Sequence, residues 1–581
     1  MELLSGNEAI ARGAWEAGVR YASAYPGTPS TETLETLGKY EGVYAEWATN
    51  EKVAVESVVG ASIAGARVLS TMKHVGVNVA ADPLFTAACT GVHGGMVVLA
   101  ADDPGMYSSQ NEQDSHYYAA AAKIPMLDPS DSQEAYQFTK DAFALSEQFD
   151  VPFFIRSSVR VSHTKTPVEV GERTNHELKN KPVEPSKWVM MPAYAKPRRT
   201  VQLQRIEQLS QWAETCPYNQ VISGSKEIGV ICAGAAYQHV RQALPQASIF
   251  KLGLSWPLPK KALAQFAQSV NAVYVVEEGS TYLTEAVRGA GICVSDTPYA
   301  LPHEGELTVG LIKAAFGCEL PEKIEQPQGL PGRPPALCAG CPHRVVFREL
   351  NRMGALVMGD IGCYTLGTLA PLSAMHACID MGASISMAHG YEVASQGTEH
   401  KPVVAVIGDS TFGHSGLSSL ISTVYNCGNG TICILDNRTT AMTGRQGNPF
   451  NGVTLQNRPS RELDLEGVIR ALGITDVRVI DPYVVKDVRR ALKEATSSDE
   501  LSVLIFRHPC VLLSRERKEA YSVSADCTAC GVCNSLGCPA LSKDEAGHAN
   551  IDKTLCIGCG QCAQYCGHGA IQQLEAHSTL A

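Results

Sequence analysis

Eight cysteines crowd the end of this 581-residue chain in two runs: Cys527, Cys530, Cys533 and Cys538, then Cys556, Cys559, Cys562 and Cys566. Each run opens as C-x2-C-x2-C, with a fourth cysteine four or five positions on. That spacing lets three thiolates converge on one iron–sulfur cubane while the fourth ligates a second cluster. Cys566 is therefore expected with the first run and Cys538 with the second. A zinc ribbon uses two pairs of ligands, and neither it nor a disulfide knot accounts for two triplets each trailed by a fourth cysteine. Two [4Fe-4S] clusters are expected, so electrons pass through this tail. Two irregularities stand out: four residues separate Cys533 from Cys538 where three are usual, and Gly567 stands where a proline is expected.

A second constellation lies upstream. Gly408-Asp409-Ser410 follows the apolar run Val403-Val404-Ala405-Val406-Ile407, and Asp436-Asn437 closes the run Thr431-Ile432-Cys433-Ile434-Leu435. As buried strands, these runs present one carboxylate and one amide at neighbouring ends. A divalent cation such as Mg2+ that must hold a diphosphate wants few protein oxygens, so that its other positions go to phosphate and water. Asp409, the Asn437 side chain and a carbonyl near Thr439 supply such a set. Gly408 and Gly413 let backbone amides approach the phosphates, at the strand ends where open α/β sheets bind ligands. The competing reading is an ordinary turn capped by Asp and Asn.

The elements that must position these groups read as α/β. From residue 1 to about 165, β-branched runs alternate with Ala/Gly/Glu-rich helical patterns, such as the helical Glu51 to Ala66 before the strand-like Arg67-Val68-Leu69-Ser70-Thr71. Residues 165 to 200 are polar and aperiodic, which suits a linker. A second α/β unit starts at Ile228-Gly229-Val230-Ile231-Cys232, turns at Gly234 and continues through Val273-Tyr274-Val275-Val276. Prolines 327, 331, 334 and 335 mark a joint over 326 to 336. The expected division is 1–170, 190–325, 335–518 and, for the cysteine-rich tail, 520–581. A net charge of -11 argues against a nucleic-acid backbone as partner. With no apolar run of membrane length and no basic, apolar leader, neither a membrane span nor export is expected. Many cysteines in an unexported chain point to a reducing cytoplasm.

The Gly-Asp-Ser to Asn spacing resembles the thiamine diphosphate motif, which normally begins Gly-Asp-Gly; Ser410 replaces the last glycine and leaves the metal ligands intact. Thiamine enzymes pair such a domain with a second α/β domain that offers a glutamate to the aminopyrimidine, and the N-terminal unit is its counterpart. Glu51, heading the small-residue helix Asn50-Glu51-Lys52-Val53-Ala54-Val55-Glu56, is the candidate, with Glu56 and Glu46 as rivals. A carboxyl in an apolar pocket has a raised pKa and would push the ring towards its imino form, which takes the proton from the thiazolium carbon. Without the resemblance, Glu51 reads as a solvated helix-start acid.

Several long strings together resemble the 2-oxoacid:ferredoxin oxidoreductase family, and within it the large (alpha) subunits of the indolepyruvate branch. They are Gly6-Asn7-Glu8-Ala9-Ile10-Ala11-Arg12-Gly13, Tyr25-Pro26-Gly27-Thr28-Pro29-Ser30-Thr31-Glu32, Thr71-Met72-Lys73-His74-Val75-Gly76, Ala101-Asp102-Asp103-Pro104-Gly105 and Cys338-Ala339-Gly340-Cys341-Pro342-His343-Arg344. The resemblance implies three α/β domains of thiamine-enzyme type (pyrimidine-binding, transketolase C-terminal-like and diphosphate-binding) and a bacterial-type two-cluster ferredoxin domain. It implies Thr28 as the substrate contact, and it places His116, in Asp114-Ser115-His116, where the relatives carry arginine. It also implies a third [4Fe-4S] cluster near thiamine, on Cys338, Cys341, Cys363 and Cys510; a structural zinc or four free thiols is the plain alternative. The other cysteines, at 89, 216, 232, 293, 318, 378, 427 and 433, read as core. The implied activity is oxidative decarboxylation of arylpyruvates to aryl-acetyl-CoA and CO2 with electrons passed to ferredoxin. The implied partners are a smaller beta subunit, in a heterotetramer of two alpha and two beta chains, ferredoxin and coenzyme A. A large aromatic substrate needs a roomy apolar pocket, with Met72, Tyr107 and Met381 as candidate walls that read equally well as ordinary core, the last also counted with the cofactor-binding residues Gly408, Asp409, Ser410, Asn437 and Thr439. Two other readings compete: a non-redox thiamine decarboxylase or synthase with structural clusters, and an electron-transfer subunit only.

Overall fold

The computed structural model describes residues 1–178, 182–320, 327–332, 334–396 and 401–573, arranged as two compact units, Met1–Gln326 and Pro327–Ala581. The proline-rich joint expected over 326–336 spans this division, with residues 326 and 333 outside the described residues. Residues 179–181 of the expected linker and 574–581 of the tail also lie outside them.

The first unit is built on a seven-stranded sheet in the order Leu254–Trp256, Met126–Leu127, Phe153–Ser158, Met96–Asp102, Val68–Lys73, Tyr21–Ala24 and Tyr44–Trp47. Every residue of Val68–Lys73, Met96–Asp102 and Phe153–Ser158 is buried, as parallel strands covered by helices on both faces must be. Leu254–Trp256 pairs antiparallel with Met126–Leu127 and sews the following chain onto the edge of this sheet. That chain forms a four-stranded sheet in the order Ala272–Val276, Ser225–Ala233, Ala247–Leu252 and Gln220–Ile222.

The stretch expected as a linker is instead structured. Lys165–Val168 pairs antiparallel with Glu2–Ser5, and Pro192–Ala213 is a helix packed on Ala81–Thr90. The buried face of Pro192–Ala213 consists of Gln202, Arg205, Leu209 and Ala213, at helical spacing. Two of those four are polar, so a hydrophobic period could not reveal it. Arg205 is buried there because it donates to the carbonyls of Ala88 at 3.3 Å and Cys89 at 3.2 Å and pairs with Asp150.

The second unit holds a five-stranded, all-parallel sheet in the order Leu356–Met358, Val403–Gly408, Thr431–Asp436, Ser502–Arg507 and Asp476–Ile480. The two apolar runs of the sequence are adjacent strands, in a register from Val404 opposite Thr431 to Gly408 opposite Leu435. Two small antiparallel ladders follow in the tail, Tyr521–Val523 with Ile571–Gln573 and Leu541–Lys543 with Ala549–Ile551. The tail shares one hydrophobic core with the sheet: Val345, Phe347 and Leu350 of helix His343–Met353 pack in the same cluster as Leu536, Ile551 and Tyr565. Glu349 of that helix, held down to about 2 against the pull of burial by Arg489, Arg352, Tyr565 and Arg348, accepts from the Tyr565 hydroxyl at 2.9 Å. Among the described residues no helix is long and apolar enough to cross a membrane.

Candidate active site

In the second unit the ends of Val403–Gly408 and Thr431–Asp436 carry the predicted oxygen donors. Asp409 is 2% exposed; its Oδ1 accepts from the Ser410 N–H at 2.8 Å and its Oδ2 from Asn448 Nδ2 at 3.0 Å. Burial first, and then the Asp436 carboxylate, push the Asp409 carboxyl up to about 7. Asn437 accepts from the Thr439 N–H at 3.2 Å and donates to His343 Nε2 at 3.4 Å. Burial pushes the His343 imidazole down to about 4, so it is a neutral acceptor at neutral pH. Ser410 Oγ shares a hydrogen bond with Thr440 Oγ1 at 2.8 Å, and Thr439 Oγ1 donates to the Gln446 carbonyl at 3.0 Å. Met381, half-buried, precedes helix Ala383–Ala394, whose start is held by the buried Asp360 accepting from the N–H groups of Gly382 at 2.6 Å and Ser384 at 3.2 Å. Hard oxygen donors on adjacent strand ends, one of them an ionisable carboxyl buried beside another, fit a divalent cation.

Gly408 is required by a close approach, since a Cβ there would lie 2.6 Å from a ring carbon of Tyr364. Tyr364 in turn donates its hydroxyl within reach of the Ile361 carbonyl, at 2.9 Å. Gly408→Ala should therefore cost about 1–3 kcal/mol by overpacking. Urea unfolding followed by far-ultraviolet circular dichroism measures it, and an unchanged midpoint would show that Tyr364 gives way freely.

Twelve of the fifteen cysteines in the second unit form three groups. One cavity is lined by Cys527, Cys530, Cys533 and Cys566, together with Tyr565 and Ala570. Another is lined by Cys538, Cys556, Cys559 and Cys562, with Gly340 and Ile557. Thiolates of a cubane bind different irons and stand further apart than the ligands of one ion; among the described residues no three His, Cys, Asp or Glu side chains group around a single-ion position. The third group gathers Cys338, Cys341, Cys363 and Cys510. Burial pushes Cys341 up to about 12, with Cys338 and Cys363 adding to it, and pushes Cys363 up to about 11, with Cys510 and Cys338 adding. Cys510, raised mainly by burial, also feels Cys338 and Asp409, so this group reaches back to the strand ends. Forward it meets the tail: a Cβ on Gly340 would lie 2.2 Å from Ile557 Cδ1 and 3.6 Å from Cys559 Cβ.

Around Cys566, where Gly567 replaces the expected proline, backbone N–H groups face the thiol. Burial raises its thiol, but the surrounding N–H groups of His568, Ala570, Ile571 and Gly569 outweigh this and hold it below its ordinary value. The Ala570 N–H donates to its sulfur at 3.2 Å. Nothing lies within 4 Å of where a Cβ on Gly567 would be, so the position has room for a side chain. Of the cysteines expected in the core, Cys293 and Cys427 are exposed. Both follow helix ends, Tyr282–Gly289 and Leu417–Tyr425, where the chain has turned outward.

In the first unit Glu51 opens helix Glu51–Ile63, capped by Asn50, which accepts from the Val53 N–H at 2.9 Å. Glu51 is 5% exposed and lies against Gly76, where a Cβ would come within 2.6 Å of its Oε1. The rivals differ: Glu56 is half-exposed and paired with Lys52, and Glu46 accepts from the Tyr21 hydroxyl at 2.5 Å. Thr28 is half-buried in a turn whose Pro29 carbonyl accepts from Asn7 Nδ2 at 2.7 Å. The sequence reading missed Lys73, whose stem passes 3.2 Å from a Cβ position on Gly27. Burial pushes Lys73 down to about 8, against the pull of Asp103 and Glu51. Its only sequence signal was its place in the Thr71–Gly76 string.

Met72 is not a pocket wall: it is fully buried in the hydrophobic core, because it points inward from an interior strand. Tyr107 is exposed, with its hydroxyl 3.4 Å from Glu306. His116 is buried in an ionic cluster, with Nδ1 2.5 Å from Asp114 Oδ1 and Nε2 3.0 Å from Asp128 Oδ2.

Three family models match the chain. "Pyruvate flavodoxin/ferredoxin oxidoreductase, thiamine diP-bdg" covers residues 12–220, "Thiamine pyrophosphate enzyme, C-terminal TPP binding domain" covers 360–506, and "4Fe-4S binding domain" covers 549–572. With the sheets and strand ends above, these define a thiamine-diphosphate-dependent 2-oxoacid:ferredoxin oxidoreductase. Indolepyruvate oxidoreductase subunit IorA of Archaeoglobus fulgidus is 38% identical over 99% of this chain and 98% of its own length. The IorA of Thermococcus kodakarensis is 39% identical over 99% and 97%. The chain belongs to the indolepyruvate oxidoreductase subunit IorA family. A 2-oxoglutarate synthase subunit KorA of Archaeoglobus fulgidus is 25% identical over 50% of this chain.

Proposed function

We propose that this chain oxidatively decarboxylates arylpyruvates of the indolepyruvate type to aryl-acetyl-CoA and CO2, and passes two electrons to ferredoxin. The observation that carries this reading is the file of thiols in the second unit, from Cys510 near Asp409 through Cys363, Cys338 and Cys341 to the two sulfur-lined cavities of the tail. The eight thiols of the two tail cavities are superfluous for a non-redox decarboxylase or synthase, and a pure electron carrier has no use for the buried Asp409 and Asn437 at a strand-end site. The names of relatives matched over nearly their full length support indolepyruvate as the type of oxoacid.

In this reading the cofactors are thiamine diphosphate, Mg2+ and three [4Fe-4S] clusters, two in the tail and one on Cys338, Cys341, Cys363 and Cys510. Bound thiamine diphosphate supplies the nucleophile and electron sink for decarboxylation, and the clusters take electrons singly. Asp409, the Asn437 amide oxygen and a carbonyl near Thr439 would hold the cation, while Gly408 and Gly413 would let backbone N–H groups approach the phosphates. Glu51 would hold a proton at its carboxyl opposite the pyrimidine nitrogen, and Thr28 would face the oxoacid. The enzyme would work in the cytoplasm with a smaller beta subunit, as two alpha and two beta chains, and with coenzyme A as acyl acceptor.

The test is an anaerobic assay of the complex with indolepyruvate, coenzyme A and ferredoxin. Substrate-dependent ferredoxin reduction that requires coenzyme A is expected. Decarboxylation without ferredoxin reduction would establish the non-redox reading instead.

A further inference from the structure

We infer that Arg344 is a positioning residue of the electron path. Its guanidinium ties the Cys338–Cys341 segment to the segment that leads into Cys538, and sets a permanent cation between these two sulfur groups that favours reduction of the clusters they hold. The inference rests on the three-cluster reading above.

Arg344 is the second residue of helix His343–Met353 and is 2% exposed, the largest fully buried side chain among the described residues. Its donors all go to main-chain carbonyls. Nε donates to Cys338 at 2.9 Å and Nη2 to Leu337, while Nη1 donates to Leu536 at 3.2 Å and to Gly537. Leu337 immediately precedes Cys338, and Leu536 and Gly537 immediately precede Cys538. No carboxylate pairs with this guanidinium among the described residues. A buried cation without a counter-charge is strongly disfavoured, so its partner has to come from the chemistry around it. Burial acts against its charge, and the groups that act for it are thiols: Cys538, Cys341, Cys338 and Cys559.

The choice of arginine fits both tasks. Its fixed fork of five N–H donors reaches carbonyls on two sides, and its charge does not titrate. A [4Fe-4S] cluster on four thiolates is anionic and gains one more negative charge on reduction. A fixed cation in a dry interior stabilises the reduced form more than the oxidised form. A one-electron transfer between the two groups would oxidise the cluster it leaves and reduce the one it enters, and the cation, lying between them, would favour the reduced form on either. No proton moves and no bond changes. Gln561, between Cys559 and Cys562, makes a second tie from the tail to the Cys338–Cys341 segment, donating to the carbonyls of Gly340 at 3.3 Å and Cys341 at 3.4 Å. It is neutral, so the two ties separate geometry from charge.

The test is a redox titration of the anaerobically purified holoenzyme followed by electron paramagnetic resonance, with iron counted per chain. Arg344→Gln should keep about twelve irons per chain. It should shift the flanking clusters about tenfold against reduction, about 59 mV for a one-electron couple. Arg344→Lys and Gln561→Met should keep the parental potentials. Unmoved potentials in Arg344→Gln at full iron overturn the inference, as does a Gln561→Met shift as large as that of Arg344→Gln. Should Arg344→Gln lose iron, Arg344→Lys decides: full iron with parental potentials supports the role, and lost iron or a shifted potential overturns it. Fewer than about twelve irons in the parent instead refutes the three-cluster reading, a separate result.

Discussion

Glu51→Gln should lower ferredoxin reduction by about 10²–10⁴-fold, the range lost with a positioned acid–base group, while cluster absorbance stays as in the parent. The substitution changes almost no volume, so the helix that Glu51 opens should persist. Asn50 still caps it through the Val53 N–H at 2.9 Å, and the amide still fits beside Gly76. In the proposed reading, what disappears is the carboxyl that faces the pyrimidine nitrogen. A surface acid would lose little, but Glu51 is 5% exposed, and the two rival acids are already engaged with Lys52 and Tyr21. Stopped-flow reduction of ferredoxin with indolepyruvate and coenzyme A reads the effect. Turnover within about twofold of the parent would move the proton-holding role to another acid, because even the weakest general acid–base effects exceed that.

The parts of the site legible in the sequence are those whose signal is local. Val403–Gly408 and Thr431–Asp436 are buried along their whole length, so each reads as an unbroken apolar run, and Asp409 and Asn437 follow directly from where those runs stop. Cysteine spacing is likewise local, and ligands on one short loop announce themselves. What stayed hidden depends on chain segments far apart. Arg344 reads as one more basic residue after Cys341 until the fold brings Leu536 and Gly537 to it. Helix Pro192–Ala213 was concealed because its buried face carries Gln202 and Arg205, whose partners are on another helix and a distant acid. The Leu254–Trp256 strand was missed for the same reason. It completes a sheet whose other strands all precede residue 160, so it has no neighbour nearby in sequence to suggest it. Met72 reads equally as core or wall from the sequence, and only the strand's neighbours decide for core.

Arg156→Met should remove about 3–5 kcal/mol from the stability of the first unit, the usual cost of stripping a buried ion cluster of one partner. Arg156 lies on strand Phe153–Ser158 with its Nε 2.7 Å from Asp102 Oδ2 and 3.6 Å from Asp114 Oδ1, and its Nη1 3.5 Å from Asp128 Oδ2. The side chains are 8% exposed for the arginine and 0%, 4% and 2% for those three acids, so solvent screens little. His116 is the other cation, stacked on Tyr282 with ring centroids 5.0 Å apart, and Ser280 donates to Asp114. The cluster thus joins the end of the first sheet to the segment after Ala272–Val276. Without Arg156, three buried carboxylates share one imidazolium. All five tryptophans, at 15, 47, 188, 212 and 256, belong to the first unit, so urea unfolding followed by their fluorescence reports this unit alone. A loss below about 1 kcal/mol, as an exposed pair gives, would refute the argument. The cluster also sets a pH dependence. Burial disfavours the His116 cation, but Asp114 outweighs it and raises the imidazole from 6.5 to about 9. A raised value means the stabilisation is complete below about pH 6.5 and is lost as pH rises through about 9. Asp114, for which burial is outweighed by His116 and Arg156, is held below its ordinary 3.8, so its share is present above that value and is lost as pH falls below it. The parent's urea midpoint should therefore be highest from about pH 4 to 6.5 and decline towards pH 9. Because Arg156 opposes the charge on His116, the decline in Arg156→Met should begin at the same pH, set by the unfolded imidazole, and extend to higher pH than in the parent, from a lower plateau.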